Sequence, residues 1–112
     1  MSALETVLFD HNWDAVRRMM WDLVGIVRSD ARLSVADERL ALMGREIEQD
    51  FRRLRLTPDL IELRNIALLA RLIVRSARRR RESRGLHFNL DHPRPVARYA
   101  GRPTVLRRRP GE

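Results

Sequence analysis

Residues 57–77 read TPDLIELRNIALLARLIVRSA, and the fold follows from them. Thr57 can cap a helix, Pro58 suits the first helical position, where no N–H is needed, and Asp59 complements the positive end of the helix dipole. Leu60, Leu63, Ala67, Ala70, Val74 and Ala77 then recur at steps of three and four, the period of a single helical face. Ile61, Ile66, Leu68, Leu69, Leu72 and Ile73 are apolar as well, and between Ile66 and Val74 only Arg71 is polar. A helix hydrophobic around nearly its whole circumference is buried on more than one side. The pattern hints at a surface meant for something outside this chain.

Two further helices precede it. One is expected over about 12–28, capped by Asp10 or Asn12, with Trp13, Val16, Met20, Leu23 or Val24, and Val27 on its stripe. Asp14 and Arg18 are spaced for an ion pair along this helix. The next is expected over about 34–55, where Ser34 and Asp37 give a capping-box pattern. Leu33, Ala36, Leu40, Met43, Ile47, Phe51 and Leu54 form its stripe, and Glu48 and Arg52 are spaced for a surface pair. Gly25 and Gly44 fall inside these helices, where glycine costs about 1 kcal/mol, so both suggest a close neighbour.

The third helix is expected over about 58–82 and to end at Gly85 in a left-handed conformation. Pro93, Pro95, Pro103 and Pro110 forbid a long helix beyond it. Residues Leu86–Leu90 suit a short extended stretch, and the last dozen residues read as disordered. The expected architecture is all-α: a three-helix bundle, up-down-up like a spectrin repeat. It occupies residues 10–92 with the loop after the third helix, between a lead-in at 1–9 and an irregular, mobile Arg- and Pro-rich tail at 93–112.

The 112 residues suit one small domain. They are too few for both a dinucleotide-binding and a substrate domain. With no Cys there is no disulfide, thiolate nucleophile or Cys-based zinc site. No apolar run approaches the ~18–20 residues of a membrane span and no signal peptide opens the chain, so a cytoplasmic protein is expected. All 23 basic residues are Arg. Residues 1–74 carry a net charge of −1 and residues 75–112 one of +9, so the last third makes the chain basic. The run Arg78–Arg81 and this charge suit phosphate or nucleic acid, but a GC-rich coding bias explains the missing Lys equally well.

Little points to catalysis. There is no glycine-rich phosphate loop, zinc-protease motif or nucleophile elbow. His87 and His92 with Asp91 do not match a known ligand spacing. No catalytic, cofactor-binding or metal residue is assigned. Trp13 and Trp21 read as core, and Asp22 and Arg64 as a bridge between helices.

Three stretches together carry a resemblance. They are His11–Asp14 running into Met20–Arg28, then Pro58–Asn65, and finally Glu82–His87 with Asn89–Pro93. In this order and spacing they resemble the C-terminal helical domain of the L-aspartate oxidase family, within the succinate dehydrogenase and fumarate reductase flavoproteins. The likeness covers roughly residues 10–95. Leu23 and His92 stand where that family often has aromatic residues.

The resemblance implies a parent enzyme that oxidises L-aspartate to iminoaspartate on FAD, feeding quinolinate and NAD biosynthesis. It implies a structural role for this chain, docked on the flavin domain and inactive alone. Hydride transfer and substrate binding belong to upstream domains. The candidate interdomain interface is Arg81, Glu82, Ser83, Arg84, Gly85, His87 and Asp91, with Arg84 and His87 oriented by Asp91 or Glu82. A self-contained capping turn is the alternative for this loop. The alternatives for the whole chain are a stand-alone nucleic-acid-binding protein using residues 75–112 and a helical adaptor docking through the third helix. Phosphate contacts would make binding fall steeply with salt. The isolated chain is predicted neither to retain FAD nor to oxidise aspartate; a stoichiometric flavin absorbance in purified protein would contradict this.

Overall fold

The helix start written by Thr57 and Pro58 is realised as read. The Thr57 hydroxyl accepts the Leu60 N–H at 3.2 Å, and helix α3 runs Pro58–Arg79. The computed structural model describes residues 3–53 and 57–108. Before α3 come α1 (Ala3–Val24) and α2 (Asp30–Arg53), and the three make an all-α bundle. Helices α2 and α3 run antiparallel, with Asp37 meeting Arg78 and Glu48 meeting Arg64. Trp13 packs with Ile47, Leu63 and Ala67, while Val24 belongs to the same cluster as Leu33, Val74 and Ala77. Helix α1 therefore runs alongside α3 and against α2.

The stripes form the core. Leu33, Ala36, Leu40 and Ile47 of α2 are buried, as are Leu63, Ala67, Ala70, Val74 and Ala77 of α3. Helix α1 adds Val16, Met19 and Val24. The expected core residue Leu54 lies outside the described residues.

Helix ends differ from expectation where long-range contacts decide them. Helix α1 starts at Ala3 instead of about 12 and stops at Val24, so Gly25 follows the helix and Val27 is an exposed strand residue. A Cβ on Gly25 would lie 2.5 Å from the Trp21 carbonyl oxygen of the preceding turn, so the chain leaves α1 too tightly for a side chain. Gly44 has nothing within 4 Å of its Cβ position, and no close packing explains it. Helix α2 starts four residues before Ser34. Ser29 caps it, its hydroxyl accepting the Arg32 N–H at 3.2 Å, and Ser34 and Asp37 lie in its interior.

Helix α3 ends at Arg79, before Gly85. Gly85 instead opens a two-residue turn between Arg84 and His87, whose backbones exchange hydrogen bonds of 2.9 and 3.1 Å. Its φ of +59° with no positive φ at Leu86 is the arrangement that calls for glycine at the first central position.

The segment after α3 closes back on the first linker. Strand β1 (Val27–Arg28) pairs in parallel with β2 (Phe88–Asn89), in the register Val27 to Phe88 and Arg28 to Asn89. The chain then continues irregularly through one 3-10 turn (Ala97–Tyr99). Truncating Leu63, 1% exposed in the core, is expected to cost about 2–5 kcal/mol, so the thermal midpoint of Leu63→Ala should fall by roughly 10 °C or more. An unchanged melt would mean the buried face is elsewhere.

Candidate interdomain surface

Two features of the bundle stand out: a braced polar loop after α3, and an apolar face with no cover. The loop turns on Glu82, whose carboxylate is fully buried. One oxygen accepts the Val96 N–H at 2.9 Å and pairs with Arg84 at 3.1 Å; the other pairs with Arg80 at 2.9 Å. Burial pushes the Glu82 carboxyl up. The Val96 hydrogen bond, the Arg84 hydrogen bond and the charges of Arg84 and Arg80 outweigh it and hold the group below the ordinary glutamate range.

Arg80 extends the brace into the tail. Its guanidinium donates to the carbonyls of Arg102 at 2.6 Å and Tyr99 at 3.0 Å and lies over the Tyr99 ring. Arg79 donates to the Val105 carbonyl at 2.9 Å. Residues 93–108 are thus irregular but hydrogen-bonded to the end of α3.

Ser83 and Asn89, also buried, form the second knot. The Ser83 hydroxyl donates to the His92 carbonyl at 2.7 Å and accepts the Asn89 N–H at 2.9 Å. The Asn89 amide donates to Asp30 Oδ1 at 3.0 Å, and its oxygen accepts the Asp91 N–H. Asp30 Oδ2 meets His92 Nε2 at 2.8 Å. Desolvation pushes the Asp30 carboxyl up, yet the Asn89 and His92 hydrogen bonds and the charges of His92 and Arg81 bring it below its ordinary value. Asp91 accepts the Asp30 N–H at 2.7 Å, so a carboxylate from the loop after α3 caps the start of α2.

His87 is held by two groups. Arg28 Nη1 donates to its Nδ1 at 2.8 Å, which makes Nε2 the protonated nitrogen, donating to the Arg80 carbonyl at 2.9 Å. Arg28 Nε also donates to the carbonyls of Val24 and Gly25 at 3.2 and 3.3 Å. Burial lowers the Arg28 guanidinium from its ordinary value.

The sequence-expected loop residues are therefore placed as follows. Arg84 is oriented by Glu82, as expected. His87 is oriented by Arg28 and the Arg80 carbonyl, and its ring hydrogen-bonds to neither Asp91 nor Glu82. Gly85 and Leu86 form the exposed tip, and the exposed Arg81 lies near Asp30. Arg28, Asp30 and Asn89 were not legible as site residues, because partners of each lie about 60 positions away, whereas Arg80 was missed although Glu82 is only two positions on.

Elsewhere, Arg64 pairs with Glu48 and stacks on Phe51, so neither the Asp22–Arg64 bridge nor the Glu48–Arg52 pair forms. Asp14 and Arg18 make no ion pair either among the described residues. Arg78 and Arg71 approach Asp37 at 2.6 and 3.7 Å.

The uncovered face belongs to α3 and α1. Ile61, Leu68, Leu69, Leu72 and Ile73 are exposed on the side of α3 away from its buried stripe, with Leu68 at 58% and Leu69 at 57%. Trp21 is 78% exposed, so it is not a core residue. An open groove of about 760 Å³ runs between α1 and α3, lined by Met20, Trp21, Ile66, Leu69 and Ile73 among others. A second, of about 450 Å³, lies between α3 and the tail, with Leu69, Leu72 and Ile73 along one side and Arg28, Arg80 and His87 along the other. Leu69 and Ile73 are the ridge between them.

These groups do not fit a flavin dinucleotide. The start of α2, where a phosphate would sit, is taken by the Asp91 carboxylate, and that of α3 by the Thr57 hydroxyl. The two positive-φ glycines, Gly85 and Gly101, sit in turns outside any strand-to-helix crossing. Among the described residues no group of three His, Asp or Glu could hold a metal ion, and no helix is long and apolar enough to cross a membrane.

Residues 13–102 match the family described as fumarate reductase flavoprotein C-term. The L-aspartate oxidase of Pseudomonas aeruginosa is 55% identical over 89 residues, 80% of this chain and 16% of that protein. That of Yersinia pestis is 44% identical over 102 residues, 91% of this chain and 19% of that protein. A chloroplastic L-aspartate oxidase of Oryza sativa subsp. japonica is 38% identical over 96 residues, 81% of this chain and 15% of the relative. The chain spans less than a fifth of the length of these relatives. Its helices and the loop after α3 lie largely within the matched region, and the chain belongs to the fumarate reductase flavoprotein C-terminal family, in which it is similar to L-aspartate oxidases.

Proposed function

We propose that this chain is the C-terminal helical domain of an FAD-dependent L-aspartate oxidase and acts by docking on that enzyme's flavin domain. The observation that carries the reading is the double-sided α3. One apolar side closes the bundle; the other, with Leu68 and Leu72 at its centre, is open. Contiguous exposed apolar surface of this kind marks an interaction site. In this reading the parent enzyme converts L-aspartate to iminoaspartate in cytoplasmic NAD biosynthesis. Flavin and substrate are held by other domains, and this one supplies a rigid surface. Of the candidate interface, the exposed Arg81, Arg84, Gly85 and Asp91 with the half-buried His87 form the polar rim of that surface, and the buried Glu82 and Ser83 hold it from beneath.

Nucleic-acid binding gains no support. Arg78, Arg79 and Arg80 of the arginine run are engaged with Asp37 and with tail carbonyls inside the chain.

A chimera tests the docking. This chain replaces the matching segment of the Pseudomonas aeruginosa L-aspartate oxidase, and flavin retention and turnover are measured. Leu68→Glu combined with Leu72→Glu is expected to release flavin from the chimera while leaving the melting of the isolated 112-residue chain nearly unchanged, because both side chains are exposed there. Unchanged flavin retention and turnover would overturn the docking reading.

The rim depends on Glu82, which gives a pH dependence. Its carboxyl titrates below the ordinary value in the folded chain, so its contribution is complete above the unfolded pKa and is lost as pH falls through the folded one. Thermal stability should decline as pH drops below about 4.5, and Glu82→Gln should be less stable at neutral pH with a flatter acid limb. An acid limb identical in the two proteins would remove Glu82 from this role.

A further inference from the structure

We propose that Arg28 is the charged anchor of the docking face and takes a single aspartate or glutamate carboxylate that the flavin domain presents between apolar side chains. The proposal rests on the docking reading above and names the chemistry of its partner.

Among the arginines braced around the loop, Arg28 and Arg79 meet no carboxylate among the described residues, and of the two only Arg28 is half-buried. Arg80 and Arg84 share Glu82, Arg78 pairs with Asp37 and Arg64 with Glu48. Arg28 is half-buried, but every acceptor it meets is neutral: the Val24 and Gly25 carbonyls on Nε and the His87 ring on Nη1. Its Nη2 donates to nothing among the described residues, although a guanidinium carries five N–H groups in a fork matched to a carboxylate. The acids two residues beyond Arg28 and beyond its strand partner Asn89 are already committed, Asp30 to Asn89 and His92, and Asp91 to the start of α2. Burial opposes the charge of Arg28 and no anion offsets it. A desolvated cation is tolerated when a partner completes it.

The surroundings define that partner. Arg28 lines the 450 Å³ groove opposite Leu69, Leu72 and Ile73, and these residues continue onto the exposed face of α3 and into the groove beside Trp21. An acidic side chain flanked by apolar ones matches both halves. A free phosphate matches poorly, because the neighbouring Arg80 already donates to Glu82, Arg102, Thr104 and Tyr99.

The test compares Arg28→Met in two settings: the isolated 112-residue chain and the chimera with the Pseudomonas aeruginosa enzyme. Arg28→Met gives up a half-buried charge that no anion offsets, together with three hydrogen bonds to neutral acceptors, so the thermal midpoint of the isolated chain should fall by no more than about 5 °C. In the chimera the same change should weaken flavin retention at least tenfold, and Arg28→Lys should restore part of it by returning the charge without the fork. Equal destabilisation of both proteins would make Arg28 an internal brace and overturn the proposal. Unchanged flavin retention in Arg28→Met, with loss in the Leu68→Glu, Leu72→Glu chimera, would overturn the anchor and leave the docking standing. Unchanged retention in both would overturn the docking itself. Self-association of the isolated chain that Arg28→Met abolishes would identify a second copy as the occupant and also overturn the proposal.

Discussion

A carboxylate removed from water has to find its hydrogen bonds within the chain, and at Glu82 that requirement organises everything after α3. Its two oxygens gather the Val96 N–H and the guanidiniums of Arg80 and Arg84 from three points along the irregular segment. Arg80, fixed this way, holds the Tyr99 and Arg102 carbonyls, and its own carbonyl fixes the His87 ring. The segment has almost no regular secondary structure, and few apolar residues in it are buried. Replacing one member of such a network exposes the others to an uncompensated burial cost, so its parts act as a unit.

The bundle beneath this network is a small domain whose interior is narrow. The inner face of α3 contributes two leucine- or valine-sized side chains and three alanines, which lets the helices approach closely but leaves the larger apolar residues of α3 on its outside. Placing Leu68, Leu69, Leu72 and Ile73 outward, with Trp21 exposed on the helix beside them, leaves more apolar surface than a helix of this size normally gives to water. That distribution is the one the proposed docking calls for.

The architecture was legible where the determining physics is local. Thr57, Pro58 and Asp59 sit next to the helix they start, and the stripes of α2 and α3 follow from helical period alone, whereas on α1 the buried Met19 lies off the expected stripe and Val27 is exposed. The opposite case is the start of α2. Ser34 and Asp37 carry a capping-box spacing, but the backbone is already helical there, because Ser29 and a carboxylate 61 residues away at Asp91 cap the helix earlier. Gly85 misled in a similar way, since a glycine with positive φ serves a hairpin turn as well as a helix end. The two-sided hydrophobicity of α3 was readable, whereas the exposure of Trp21 was not: bulk and apolarity favour the core on average, and only the helix's final orientation places this ring outside. Of the loop residues, the Arg84–Glu82 contact was within reach because the two are neighbours in sequence. The Arg28–His87 contact spans 59 positions and had no local signature.

The parallel pairing of β1 with β2 has a consequence in time. Val27 and Arg28 lie between α1 and α2, but their partners Phe88 and Asn89 follow the whole of α3. Closing a loop of that length carries an entropic cost that is recovered only once the intervening helices have packed. Contacts between neighbouring helices close shorter loops, and the β1–β2 pairing closes the longer one. During synthesis from the N-terminus, the polar rim takes shape only after α1, α2 and α3 are complete, which makes its formation a late report on the integrity of the entire bundle.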